Sequence, residues 1–119
     1  MFFASPKQGN RPTGQRTRLN IISGATYTVS AADTGAKLVF TSASAVTVTV
    51  PQTLLDGFEC SWEQRGAGKV SFNGTATVAA TLNNRQSQVA SAGQYAVGGI
   101  SVYTAGAPAV ATLFGDTGP

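Results

Sequence analysis

The sequence predicts an all-β protein, namely a small β-sandwich or jelly-roll-like domain with an extended N-terminal arm. In the run Ala45–Pro51, three valines would point to one side of a strand and two threonines to the other. Short runs of this kind recur between glycine, asparagine, aspartate and proline residues, which is typical of strands joined by turns. With 119 residues, of which 42% are apolar, the chain is expected to form one core.

Residues 1–22 differ in composition from the rest and are predicted to form the arm, while residues 23–119 form the β-sandwich domain. The first 18 residues carry four basic side chains and no acidic one, whereas the remaining 101 carry four basic and five acidic ones. Prolines, glycines and amides interrupt the segment, so it cannot build a core of its own. The candidate partner-binding residues of the arm are Phe2, Phe3, Lys7, Arg11, Arg16 and Arg18.

Three strands are predicted in the first part of the domain. They cover Ala25–Val29, Lys37–Thr41 and Ala45–Val50, and a turn at residues 33–35 separates the first two. Pro51 ends the third strand, because proline lacks the backbone N–H that a sheet ladder needs.

The segment that follows residues 52–57 shows the clearest alternation in the chain. It predicts a core strand with one solvated face: Phe58, Cys60 and Trp62 point inward, and Glu59, Ser61 and Glu63 point outward.

Two tight turns are then predicted on either side of a strand at Val70–Phe72. Residues 66–68 are interpreted as a hairpin turn, and Asn73-Gly74 is the dipeptide that favours a type I′ hairpin turn, after which Thr75–Ala80 would return as a strand.

The remaining strands are expected near Val89 and at Gln94–Val97, Ile100–Thr104 and Ala109–Phe114, which gives eight or nine short strands in total. Pattern alone leaves their order in the sheets open. The residues expected to be largely buried are Val48, Phe58, Trp62, Val70, Phe72 and Tyr95.

Residue types that carry chemistry are scarce, so we expect no enzyme, no cofactor and no metal site. The chain has no histidine and one cysteine, which removes the usual general base and the common zinc ligand sets. Cys60 is expected to be a buried apolar residue. Glu59 and Glu63 would lie roughly 13 Å apart along a strand, beyond the spacing of glycosidase carboxylates. The segment Gly66–Lys69 lacks the spacing of a phosphate-binding loop.

Aromatic and basic residues allow a ligand-binding alternative. Five aromatic side chains could form a platform for carbohydrate or nucleic acid, but each lies on the apolar phase of its strand, where core packing is the preferred interpretation; they are Trp62, Phe72, Tyr95, Tyr103 and Phe114. The four cations of the arm are too sparse to predict a nucleic-acid partner, and an acidic protein surface suits them equally well.

No membrane partner is expected, because the apolar stretches fall far short of the ~20 residues that span a bilayer. The start Met1-Phe2-Phe3 lacks the charged flank and apolar core of a signal peptide. Synthesis and assembly in the cytoplasm are therefore expected.

Several segments in succession resemble a known family. The chain from Tyr27 to Asp116 resembles the small β domain of tailed-bacteriophage virion surface proteins, which include head decoration (cement) proteins and modules of fibres and spikes. The resemblance rests on the segments Tyr27–Val29, Ala32–Phe40, Ser42–Pro51, Gly66–Phe72, Ala92–Ala96 and Gly115–Asp116.

The resemblance implies a virion structural protein, usually oligomeric. A β domain with a basic tail as the whole polypeptide fits a stand-alone decoration protein on the outer surface of the capsid, with the major capsid protein as its partner. The arm could then run roughly 70 Å across neighbouring subunits at ~3.3 Å per residue. The threefold positions of capsids imply a homotrimer.

Two other functions stay open at this stage. The chain could be a head-fibre, tail-fibre or spike subunit that adheres to the host, for which an exposed aromatic and polar patch on the distal end of the domain would be diagnostic. A small nucleic-acid-binding module is the third hypothesis.

Overall fold

The computed structural model describes residues 16–104 and 109–119, and the predicted all-β sandwich is confirmed. The described residues form eleven strands and a single 3₁₀ turn at Ala31–Asp33. The strands are β1 (Arg18–Ile22), β2 (Thr26–Thr28), β3 (Ala36–Phe40), β4 (Val46–Thr49), β5 (Glu59–Gln64), β6 (Val70–Phe72), β7 (Thr81–Asn83), β8 (Ala90–Ser91), β9 (Val97–Thr104), β10 (Val110–Gly115) and β11 (Thr117–Gly118).

Two sheets make up the sandwich, and the chain passes back and forth between them. Sheet A has the order β1-β3-β5-β9-β10-β7, and sheet B has the order β11-β8-β6-β4-β2. The first nine strands therefore alternate between the two sheets. Within each sheet the early strands pair in parallel: β1 with β3 and β3 with β5 in sheet A, and β2 with β4 and β4 with β6 in sheet B. Residues 18–72 thus form three successive windings, β1–β2, β3–β4 and β5–β6, each of which adds one strand to each sheet. This arrangement differs from the antiparallel Greek keys of a jelly roll.

The core lies between the sheets and follows the predicted alternation. In β4 and β6, Val46 is level with Val70 and Val48 with Phe72, and all four side chains are buried. Trp62 of β5 faces them with no exposed surface, and its ring centroid lies 5.3 Å from that of Phe72. Five of the six predicted core residues are confirmed, namely Val48, Phe58, Trp62, Val70 and Phe72.

Neither predicted hairpin forms. Asn73 and Gly74 do have left-handed φ angles of 65° and 41°, but residues 75–80 do not return beside β6, which pairs with β4 and β8 instead. The Asn73 side chain explains the different path, because it accepts a hydrogen bond from the Val50 N–H and donates one to the Ala80 carbonyl. It thereby holds the end of β4 against the segment that leads into β7.

The turn at Gly66–Gly68 likewise connects β5 in sheet A to β6 in sheet B. It packs directly on the backbone of the preceding winding: the Gly68 N–H donates to the Ser42 carbonyl, and a Cβ at Gly66 or Gly68 would collide with backbone atoms of residues 41–44. Glycine is needed here for this close approach.

The last residues of the predicted arm belong to the β-sandwich. Residues 18–22 form β1, which lies parallel to β3 with Ile22 level with Phe40. The sequence did not predict this strand, because its apolar residues Leu19 and Ile21 are exposed and only Ile22 is buried.

Candidate functional site

The described part of the arm meets the sandwich at the 3₁₀ turn. The Arg18 guanidinium donates hydrogen bonds to the carbonyl oxygens of Ala32 and Thr34, the second at 3.3 Å. Arg16 is exposed. The other candidate residues, Phe2, Phe3, Lys7 and Arg11, lie outside the described residues.

Strand β1 is an edge strand of sheet A with an apolar outer surface. Among the described strands it has a neighbour on one side only, β3, and its other side presents backbone N–H and C=O groups. Leu19 and Ile21 are 57% and 65% exposed on its outward face. An edge of this kind can accept an extended segment from a partner as an additional strand.

The buried carboxylate of Asp33 holds the 3₁₀ turn against β1 and β2. Asp33 accepts hydrogen bonds from the Tyr27 hydroxyl at 2.7 Å, the Asn20 amide at 3.1 Å and the Ser30 N–H at 3.0 Å. Burial, followed by the hydrogen bond to Asp33, raises the pKa of Tyr27 to about 12, so the hydroxyl remains a proton donor. These contacts tie β1 and β2 to the 3₁₀ turn, and they satisfy Asp33 within the fold.

Beside the 3₁₀ turn lies an apolar groove of about 410 Å³, lined by Ala31, Thr34, Leu55, Asp56 and Phe58 among others. Leu55 is 71% exposed at the groove, and Asp56 supplies a carboxylate. The start of β1, at Arg18, and the groove therefore lie at the same end of the sandwich, which we call the β1 end.

The opposite end of sheet A carries an exposed tyrosine. Tyr95, predicted to be buried, is 63% exposed, and this prediction was wrong. The strand expected at residues 94–97 begins only at Val97, so the alternation on which the prediction relied does not apply to Tyr95. The backbone N–H of Tyr95 donates to the Gln64 carbonyl at the end of β5, about 17 Å along the strand from Glu59 at the β1 end.

Two further aromatic residues are exposed against expectation. Tyr103 is 84% exposed because Val102 occupies the inward position beside it on β9, and Phe114 is 45% exposed because Leu113 does so on β10. The Phe114 ring covers Gly99 on the outer face of sheet A.

Glu63 was expected on a solvated face but is buried. Its carboxylate pairs with Lys37 Nζ at 2.7 Å and with Arg65 Nη1 at 3.0 Å. The hydrogen bonds from Lys37 and then Arg65 hold the pKa of Glu63 below its usual range. Glu59 remains exposed, so the two carboxylates lie in different surroundings.

Among the described residues, the thiol is buried and the acidic side chains are dispersed. Cys60 is buried as predicted, and burial raises the pKa of its thiol to about 12, which disfavours the reactive thiolate. In residues 16–104 and 109–119, no three histidine, cysteine, aspartate or glutamate side chains are grouped to hold a metal ion. Lys69, in the segment compared with a phosphate loop, donates to the Pro119 carbonyl. None of the described helical segments has the length and apolar character to cross a membrane.

Comparisons with protein-family models, with curated proteins and with solved structures found no match to this chain. Two surfaces thus stand out from the geometry. One is the β1 end, and the other is the opposite end of the sheet A strands, around Gln64 and Tyr95, which we call the Tyr95 end. The charge split of the sequence indicated the first. For the second, the only available signal was Gly93-Gln94, a turn-like pair placed directly before Tyr95.

Proposed function

We propose that this chain is a bacteriophage structural protein, a capsid decoration (cement) protein that binds the outside of the head and stabilises it. The observation that carries the proposal is the continuity of the basic N-terminal segment with β1, an edge strand with exposed Leu19 and Ile21. The family resemblance of residues 27–116 supports the same role.

The attachment would combine three kinds of interaction with the major capsid protein. The open side of β1 can extend a strand edge of the partner, the basic side chains suit an acidic capsid surface, and Phe2 and Phe3 can anchor in an apolar pocket. Arg18 is already held by the Ala32 and Thr34 carbonyls, so the start of β1 has a fixed position on the sandwich. The protein would be made in the host cytoplasm and reside on the outer surface of the virion capsid.

Deletion of residues 2–15 tests the proposal, because it removes the basic segment and leaves β1 intact. We expect the truncated protein to keep its circular dichroism spectrum but to stop co-sedimenting with expanded heads. Arg85→Ala, at an exposed basic residue between β7 and β8, is the matched control and should still bind. If the truncated protein binds heads as tightly as the intact chain, the sandwich and not the arm carries the attachment.

The second candidate function is host adhesion, as a head-fibre, tail-fibre or spike subunit. It is favoured by the exposed Tyr95, which lies at the other end of the sheet A strands from the β1 end and would face outward if the β1 end faced the particle. Electron microscopy of virions with labelled protein separates the two functions. Label over the head lattice supports decoration, and label confined to the tail tip supports adhesion.

A further inference from the structure

The Tyr95 end contains an open cleft of about 580 Å³ between the connections β8–β9 and β10–β11. We name it the Tyr95 cleft, and its lining includes Gln86, Gln94, Tyr95, Asp116 and Thr117. We propose that the Tyr95 cleft binds a neutral saccharide, with the tyrosine ring stacked on a sugar ring and the amides and the carboxylate bonded to its hydroxyls. The volume lies within the range of small-ligand sites.

The backbone of Tyr95 adopts a conformation that large side chains rarely take. Its φ angle is 72°, in the left-handed region that glycine and asparagine occupy more easily. Short backbone hydrogen bonds hold it there: the Tyr95 N–H donates to the Gln64 carbonyl at 2.6 Å, and the Gln64 N–H donates to the Ala96 carbonyl at 2.9 Å. Local strain at an exposed aromatic residue is a feature that clusters at binding sites.

The ring itself is oriented before any ligand arrives. The Arg65 guanidinium carbon lies 5.9 Å from the centroid of the Tyr95 ring, and Arg65 is anchored in turn by its ion pair with Glu63. The ring is thus held on one side while 63% of the residue stays exposed. A tyrosine that is already oriented loses little conformational freedom on binding, and its flat apolar face suits the C–H face of a pyranose.

Polar atoms around the ring retain unused hydrogen-bonding capacity. One oxygen of Asp116 accepts the Val97 N–H at 3.3 Å, while the other has no partner among the described residues. The Gln94 amide nitrogen donates to the Arg65 carbonyl at 3.2 Å, which leaves its carbonyl oxygen available. The Gln86 side chain makes no hydrogen bond to the described part of the chain. Amides and carboxylates of this kind bond well to adjacent hydroxyl groups.

The charge of the lining favours a neutral ligand over an anionic one. No basic side chain lines the Tyr95 cleft, and Asp116 is its charged residue. Arg65, whose guanidinium carbon lies 5.9 Å from the ring centroid, is not part of the lining and pairs with Glu63, which Lys37 shares. A phosphate, a sulfated or sialylated glycan, or a nucleic acid would therefore meet the Asp116 carboxylate in the lining, where no cation compensates it.

The inference rests on the second candidate function, adhesion, and gives it a ligand class. It can be tested on the isolated full chain by saturation-transfer difference NMR with the methyl glycosides of glucose, galactose and mannose and with N-acetylglucosamine. We expect saturation transfer to at least one of these sugars. The dissociation constant of that sugar should rise at least tenfold in Tyr95→Ala and stay unchanged in Tyr103→Ala, which removes an exposed tyrosine outside the cleft.

Tyr95→Gly separates binding from folding, because glycine adopts a φ of 72° without strain. This variant should melt at the same or a higher temperature and should also lose the sugar. Absence of transfer to every sugar tested, or equal binding by Tyr95→Gly, would overturn the proposal. Head binding by the same variant is read separately: it should be unchanged, so failure of the saccharide site is distinguishable from failure of the decoration function.

Discussion

Two adjacent glycines on β9 each make room for an aromatic ring, one on either face of sheet A. Gly98 is level with Trp62, whose ring occupies the inner face, and Gly99 is level with Phe114, whose ring covers the outer face. A Cβ at Gly98 would collide with the Trp62 ring and with the Phe114 carbonyl oxygen, whereas a Cβ at Gly99 would meet only the far end of the Phe114 ring.

The two glycines should therefore tolerate alanine differently. Trp62 is fully buried and cannot move, so Gly98→Ala should lower the free energy of unfolding by about 3 kcal/mol, at the upper end of overpacking effects. Phe114 is 45% exposed and can swing outward, so Gly99→Ala should cost less than about 1 kcal/mol. Urea unfolding followed by Trp62 fluorescence measures both, and equal losses would show that the Phe114 ring is fixed.

Residue-scale patterns also set the limit of what the sequence could predict. The inward positions of Phe58, Cys60 and Trp62 followed from alternation alone, because a strand with one buried face has to alternate. Tyr95 could not be placed in this way. Its position depends on a left-handed backbone conformation, which is held by the hydrogen bonds that Tyr95 and Ala96 make to Gln64, a residue distant in the sequence.

At the scale of elements, an ion cluster joins β3, β5 and the turn that follows. Lys37 and Arg65 both pair with Glu63, whose side chain is 10% exposed, while those of Lys37 and Arg65 are 32% and 61% exposed. The pKa of Glu63 is lower in the folded protein than in the unfolded chain, so the carboxylate stabilises the fold at neutral pH.

This stabilisation should disappear in acid. At pH 7 the free energy of unfolding of Glu63→Gln should be about 1 kcal/mol below that of the parent protein. As the pH falls below about 4.3, the usual pKa of glutamate, protonation of Glu63 in the parent should narrow the difference towards zero near pH 2. Urea titrations at several pH values give this comparison. A difference that stays constant from pH 7 to pH 2 would mean that the carboxylate charge contributes nothing.

The sequence predicted where strands occur better than it predicted which strands pair with each other. Strands β3, β4, β6 and β10 lie within one residue of their predicted limits, because each has a strong local alternation or a clear turn signal. Their partners depend on contacts between distant segments, so Asn73-Gly74 formed a turn without forming a hairpin. Strand β1 was missed for a related reason, since Leu19 and Ile21 face outward and only the pairing with β3 defines it.

For the molecule as a whole, the outer face of sheet A suggests how copies of the chain associate. Leu19, Ile21, Val97 and Phe114 are all exposed there, on strands that run from the β1 edge to β10. Exposed apolar residues gathered on one face are typical of association surfaces.

We expect the intact protein to form a trimer at micromolar concentration, with a light-scattering mass about three times the 12.1 kDa of the chain. Phe114→Lys should shift this mass towards that of a single chain. Val89→Lys, at a residue of nearly the same exposure (46% against 45%) outside this face, should leave it unchanged. A single-chain mass for the parent protein would contradict self-association in solution, and equal effects of both lysine variants would place the interface elsewhere.

The alternation of strands between the sheets also governs the order in which the chain can be completed during synthesis. Among the described strands, β9 and β10 are the only neighbours in sequence that pair with each other. Until residues 97–115 leave the ribosome, β5 has no partner on one side, because β9 occupies that position. In a growing chain, one side of β5 therefore stays unpaired until late in synthesis. Pairing between segments that are distant in sequence also makes folding slow. The pairing of β9 and β10 with β5 and β7 is the step that completes sheet A.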